Sequence, residues 1–172
     1  FGTGGLRSIL GVGSNRMNKY NVRKATQAMA NIVNQKFPEI KSSACVSYDS
    51  RKFSFEFAKD VASVFAGNGI KCFILDTLTP TPMLSHAVRF YKAQAGVMIT
   101  ASHNPPNYNG YKAYWDDGSQ VVPPVDQGII DNYNNIQDWN EIKHIDFEQA
   151  MTDGLIQWIS PDCNEAFYSI VE

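Results

Sequence analysis

With 172 residues, 44% of them hydrophobic and 19% charged, the chain is long enough to bury one domain-sized core. A formal net charge of -2 makes no electrostatic case for nucleic acid or an anionic membrane as partner. No apolar run approaches the ~20 residues needed to span a bilayer.

The elements follow in chain order. The stretch 1–18 is rich in Gly, Ser and Asn and reads as an exposed loop. From Asn21, the positions Val22, Ala25, Met29, Ile32 and Val33 recur at helical spacing, and that helix ends before Pro38. A strand is predicted over 43–48, with Cys45 facing opposite to Val46 and Tyr48. A second helix over 53–66 carries the stripe Phe53, Phe57, Val61, Val64 and Phe65, stopped by Gly67, Asn68 and Gly69. Residues 70–75 read as a strand, 76–82 as a turn-rich loop, and Pro82 opens a third helix to about Tyr91. A short buried strand over 95–99 is joined through the loop 100–110 to another at 111–115, and their closeness in sequence predicts an antiparallel pair. A helix is expected near 125–133. The segment 161–172 is helical in pattern, with little to pack on after Trp158.

This alternation predicts an α/β fold, a three-layer sandwich with a mixed, largely parallel sheet between helices. The domain is placed at 1–160, with 161–172 the start of a connection to further protein. Cys45, Cys72 and Cys163 are odd in number and lack metal-ligand spacing, the usage expected of reduced thiols in a cytoplasmic protein. The chain opens at Phe1 with no initiator Met and no visible leader, as expected of a processed, trimmed or recombinantly shortened chain.

Chemistry concentrates in 96–112, Gly-Val-Met-Ile-Thr-Ala-Ser-His-Asn-Pro-Pro-Asn-Tyr-Asn-Gly-Tyr-Lys. An apolar strand delivers its C-terminal end into a polar loop, and in open α/β sheets ligands bind outside such strand ends. Pro105 and Pro106 restrict the loop and Gly110 releases it, so that Ser102 is presented on a stiff support. From residue types alone, a polar surface turn is an equally good reading. Ser102 as a hydrolase nucleophile with His103 as base is disfavoured. In an extended segment adjacent side chains point apart, and the Gly-x-Ser-x-Gly elbow is absent. Ser102 as a phosphoryl carrier would need cations and amides around it, since a phosphoserine is close to dianionic.

Thr100, Ser102, His103, Asn104 and Pro105, followed by Asn109, Gly110 and Lys112, resemble the active-site loop of the α-D-phosphohexomutases, the phosphoglucomutase and phosphomannomutase superfamily. The segments 1–7 (Phe-Gly-Thr-Gly-Gly-Leu-Arg), 48–51 (Tyr-Asp-Ser-Arg) and 79–82 (Thr-Pro-Thr-Pro) resemble further signatures of that family in the right order. The resemblance implies that Ser102 is the phosphoserine and that its phosphate is one ligand of Mg²⁺. It further implies that Lys112 and Arg7 lie near the transferring phosphoryl group, that His103 assists proton transfer or positioning, and that Thr100 and Asn104 belong to the substrate-binding loop. A sugar bisphosphate would be intermediate and activator, and the substrate a phosphosugar, with glucose phosphate preferred. The family's Asp-Gly-Asp-x-Asp-Arg metal loop belongs to a second domain and does not occur here. The remaining domains of the same polypeptide are therefore the expected partners, and the isolated chain is expected to be inactive. The alternatives are a noncatalytic phosphosugar-binding module and a serine hydrolase.

Weaker signals read as structural. Gly2 to Gly5 and Gly11 to Gly13 fit no dinucleotide pattern, and Arg16 reads as surface charge. Asp116-Asp117-Gly118 reads as a hairpin turn. His86 and His144 have no evident partner. Arg51 is assigned to fixing loop geometry through Asp49 or a carbonyl.

Overall fold

The computed structural model describes residues 5–171. The first helix, α1 (Lys19–Lys36), starts where the Asn18 side chain accepts a hydrogen bond from the Asn21 N–H, and it ends just short of Pro38. Val22, Ala25, Met29, Ile32 and Val33 are all buried, as their spacing predicts. The second, α2 (Ser54–Gly67), buries Phe57, Val61, Val64 and Phe65. Phe53 departs from its expected stripe: it precedes the helix with φ 65° and is 43% exposed. The strands β2 (Ser43–Tyr48) and β3 (Lys71–Ile74), the helix α3 (Thr81–Phe90) and the strand β4 (Ala95–Ile99) follow in the predicted order. The strand after them, β5 (Tyr108–Trp115), begins earlier than its pattern shows. It turns at Asp116-Asp117-Gly118, where the Gly118 N–H donates to the Trp115 carbonyl and Gly118 takes φ 79°.

Three elements carry no periodic signal of their own. The strand β1 (Gly5–Ile9) falls in the segment read as a loop and is held by antiparallel pairing to β5, with Arg7 opposite Gly110. The helix α4 (Val125–Asn135) matches expectation, but the short α5 (Phe147–Thr152) and the three-residue β6 (Ile156–Trp158) do not follow from the sequence pattern. Residues 1–4 of the N-terminal signature lie outside the described residues.

Among the described residues the sheet has the order β1-β5-β4-β2-β3-β6. β4, β2, β3 and β6 run parallel, while β5 is antiparallel to both β4 and β1, so the sheet is mixed and largely parallel. Side-chain alternation splits the core in two. Val46, Tyr48, Val97, Ile99 and Tyr111 face α1, α2, α4 and α5, whereas Cys45, Met98 and Tyr114 face α3. The last helix, α6 (Pro161–Val171), packs on that second face. Cys163 and Phe167 are buried there, and Ser160 is held by two hydrogen bonds with the Tyr91 hydroxyl. This corrects the expectation that the final segment has little to pack on. Burying each such apolar side chain stabilises the fold by about 1.5–3 kcal/mol.

Candidate active-site loop

The loop 100–107 leaves β4 at its C-terminal end, beside the C-terminal end of β2, where Tyr48 pairs with Ile99. Its course is set by short-range bonds. The Thr100 hydroxyl accepts from the Ser102 N–H at 3.0 Å, and the Asn104 N–H donates to the Ala101 carbonyl at 3.1 Å, folding 101–104 into a turn. Ser102 sits at φ 57°, left-handed, a conformation that costs a residue with a Cβ about 1 kcal/mol or more and marks sites where neighbours over-determine the backbone. The serine side chain is exposed at the tip.

Arg51 provides the over-determination. Its guanidinium donates to the carbonyls of Ser102 (2.7 Å), Asn104 (2.7 Å), Pro105 (2.9 Å) and Tyr108 (3.1 Å), and pairs with Asp49 at 3.3 Å. The structural role read for Arg51 is thus realised on a larger scale than one carbonyl. Asp49 also orders the start of α2: its Oδ1 accepts from the Arg51 N–H and the Ser54 hydroxyl. Ser54 Oγ in turn accepts from the buried Asn109 side chain, which also donates to the Lys52 carbonyl. Asn109 therefore anchors the far end of the loop, a role that the sequence motif contains but does not explain.

Gly110 corrects the expectation that it releases the loop. It lies buried inside β5 between β1 and β4, and a Cβ there would meet the Thr100 carbonyl oxygen at 2.5 Å and that of Leu6 at 2.9 Å. The glycine is needed for close approach of three strands.

The geometric objection to a Ser102–His103 contact also falls. The left-handed turn at Ser102 brings its Oγ to 3.4 Å from His103 Nδ1, so the segment is not extended there. Among the described residues no carboxylate hydrogen-bonds the His103 ring, so the third member of a hydrolase-type triad is missing. Arg7 is exposed on β1 and donates from Nη1 to Asn104 Oδ1 at 3.1 Å, which ties a cation to the loop. Lys112 is partly buried in β5 opposite Met98, and among the described residues it makes no hydrogen bond to Ser102. Thus Thr100, Ser102, His103, Asn104 and Arg7 are joined by contacts, while Lys112, whose strand partner Gly5 lies two residues before Arg7, shares the face of Arg7 without a hydrogen bond to the loop among the described residues. Arg16, read as surface charge, lines the same cleft as Arg7. His144 lies 3.3 Å from Arg23 Nη1, and His86 packs against the rings of Phe90 and Phe167.

Among the described residues there is no group of three or more His, Cys, Asp or Glu side chains that could hold a metal ion. Nor is any described helix long and apolar enough to cross a membrane.

An α/β/α sandwich with a braced, hydroxyl-bearing loop at the carboxyl ends of its parallel strands places the chain in the open-sheet class, whose ligands bind outside those strand ends. Residues 1–139 match the family described as phosphoglucomutase/phosphomannomutase, alpha/beta/alpha domain I, and the chain belongs to that family. It is 38% identical over 167 residues to a phosphoglucomutase of Staphylococcus saprophyticus, covering 97% of this chain and 30% of the relative. It is 38% identical over 164 residues to a human phosphopentomutase, covering 91% of this chain and 26% of the relative. A phosphoribomutase of Saccharomyces cerevisiae is 41% identical over 161 residues, with 91% and 25% covered. A solved structure of a Thermus thermophilus protein assigned as a phosphomannomutase superposes with a TM-score of 0.73 at 28% identity, covering 84% of this chain and 31% of that one. The chain thus spans less than a third of the length of these relatives.

Proposed function

We propose that this chain is the phosphoserine-bearing domain of a phosphosugar mutase, one that interconverts hexose 1-phosphate and hexose 6-phosphate through a bisphosphate. The observation that carries the reading is Ser102 itself, exposed in a left-handed turn that Arg51 braces through the backbone, with Arg7 tied to the same loop through Asn104. A phosphate on Ser102 Oγ would sit at a site fixed before substrate arrives.

In the first half-reaction a sugar hydroxyl attacks the phosphorus, the bond from phosphorus to Ser102 Oγ breaks, and a bond to the sugar oxygen forms. The sugar hydroxyl loses its proton and Ser102 Oγ regains one. His103, at 3.4 Å, positions that proton. The bisphosphate then turns about and returns its other phosphoryl group to Ser102. Arg7 and Lys112 supply positive charge to the phosphates, and Thr100 and Asn104 hold the loop that meets the sugar.

Mg²⁺ takes about six oxygen ligands. The phosphate of a phosphorylated Ser102 would supply one ligand, and no carboxylate cluster among the described residues completes a site. The other ligands would have to come from outside those residues. The short coverage of the relatives supports an isolated chain that lacks mutase turnover. Glucose phosphate is the preferred sugar, in line with the staphylococcal relative, whereas the human and yeast relatives favour a pentose phosphate as the second reading.

The test is a peptide mass spectrum of the native protein, isolated from its source and incubated with glucose 1,6-bisphosphate or ribose 1,5-bisphosphate. One added phosphoryl group on the Ser102 peptide, absent in Ser102→Ala, is expected, with the bisphosphate that labels faster identifying the sugar. Mutase turnover by a protein whose Ser102 never carries phosphate would overturn the reading.

A further inference from the structure

Beside β1 lies a cleft of about 310 Å³ whose lining includes Arg7, Ser8, Ser14, Asn15, Arg16 and Tyr133. Two of these side chains are cations, and no carboxylate is among the described lining residues. Arg7 spends one N–H on Asn104, and the Arg16 guanidinium has neither a hydrogen bond nor an ion pair among the described residues. Two arginines facing one concavity without an anion repel each other, and an incoming dianion relieves that repulsion.

The backbone that presents Arg16 is built with care for its position. The Asn21 side chain, in a residue 7% exposed, shares the two hydrogens of its amide among the carbonyls of Gly13 (3.1 Å), Ser14 (3.1 Å) and Arg16 (2.6 Å). Asn18 donates to those of Gly11 and Gly13, each at 3.0 Å. The Ser8 hydroxyl donates to the Asn15 carbonyl at 2.6 Å, and the Met17 N–H to the Ile9 carbonyl at 2.9 Å. Gly13 turns the chain at φ 121°, which side chains avoid, and the stem of Arg16 lies against the space its Cβ would fill. A solvated surface arginine needs none of this. Here the backbone under Arg16 is pinned while its charged end is left unengaged, the arrangement of a preorganised ligand group.

We propose that Arg16 and Arg7 form a two-arginine subsite for a phosphate monoester, next to the loop that carries Ser102. The cleft is linked to that loop through the Arg7–Asn104 hydrogen bond, so a phosphate held there stays close to the candidate reacting centre. A planar guanidinium fits phosphate oxygens two at a time, which gives orientation as well as attraction. The inference rests on the phosphosugar reading for the molecule that bears the phosphate, and on the cleft alone for the phosphate itself.

The experiment follows the arginine Nε–H resonances of the 172-residue chain by NMR during titration with inorganic phosphate, glucose 6-phosphate and glucose at low ionic strength. Phosphate and glucose 6-phosphate should shift both Arg7 and Arg16, and glucose should shift neither. Arg16→Gln should weaken binding about three- to tenfold with an unchanged melting temperature, and Arg16→Lys should recover only part of the loss. Because the Arg16 side chain has no bonding partner to lose among the described residues, the variant tests binding rather than folding. Unchanged affinity in Arg16→Gln, shifts confined to Arg7, or equal shifts on adding sodium chloride to the same ionic strength would each overturn the subsite. Phosphate on Ser102, read by mass spectrometry, stands or falls separately, so failure of the subsite is distinguishable from failure of the mutase reading.

Discussion

Replacing Arg51 by Gln removes the brace of the loop without emptying a core position. Four backbone carbonyls lose a charged donor: those of Ser102, Asn104, Pro105 and Tyr108. A hydrogen bond to a charged group is worth about 1.5–3 kcal/mol when its partner stays buried and unsatisfied. The bonds to Ser102 and Pro105 lie at the exposed side, where water can replace the guanidinium, so they contribute little. Those to Asn104 and Tyr108 are partly buried and set the loss, at about 2–4 kcal/mol in all. At the 2–4 °C per kcal/mol typical of a chain this size, the melting temperature falls by about 5–15 °C. Denaturant unfolding measures the free energy, and hydrogen exchange of the amides 101–108 localises it. Arg51→Lys keeps the charge but loses the planar fork, and recovers less than half of the loss. A variant within 0.5 kcal/mol of the parent (on the order of the surface-substitution spread), or one whose loop amides exchange no faster, would refute the bracing argument.

Gly110→Ala places a methyl group against the backbone carbonyl oxygens of Leu6 in β1 and of Thr100 just past β4, neither of which is a flexible side chain. A loss of about 3 kcal/mol or more is expected, or failure to accumulate folded protein, and a variant of near-parental stability in urea would show that the strands can part. The three thiols predict an alkaline weakness. Burial pushes Cys163 up to about 11, and Cys45 and Cys72 well above the usual thiol range, Cys45 with help from the two other cysteines. Above the ordinary thiol value of about 8.5 the unfolded chain gives up protons that the folded chain keeps, so stability drops as pH rises, by about 1.4 kcal/mol per pH unit for each thiol. Melting temperatures recorded from pH 8 to pH 11 (a window set by roughly these two values) should decline, less steeply in Cys163→Ala, and a flat profile would contradict the assignment.

Much of this molecule follows from local sequence. The helices α1 and α2 are written in the spacing of Val22 to Val33 and of Phe57 to Phe65, because a helix shows the same face to the core every turn whatever that core turns out to be. The turn at Asp117-Gly118 and the motif around Ser102 are equally local. Tertiary structure decided what depends on partners distant in the chain. A strand's hydrogen bonds are made to another strand, so Gly5–Ile9 has no strand signal until Tyr108–Trp115 lies beside it, and the same holds for Ile156–Trp158 beside β3. Arg51 becomes a clamp only when α/β packing carries the loop over it. His103 comes within reach of Ser102 because the braced loop holds that serine left-handed, against the extended preference that would separate them. Arg16 joins Arg7 only once β1 has been drawn into the sheet and the Asn18 and Asn21 amides have folded the following loop back on it.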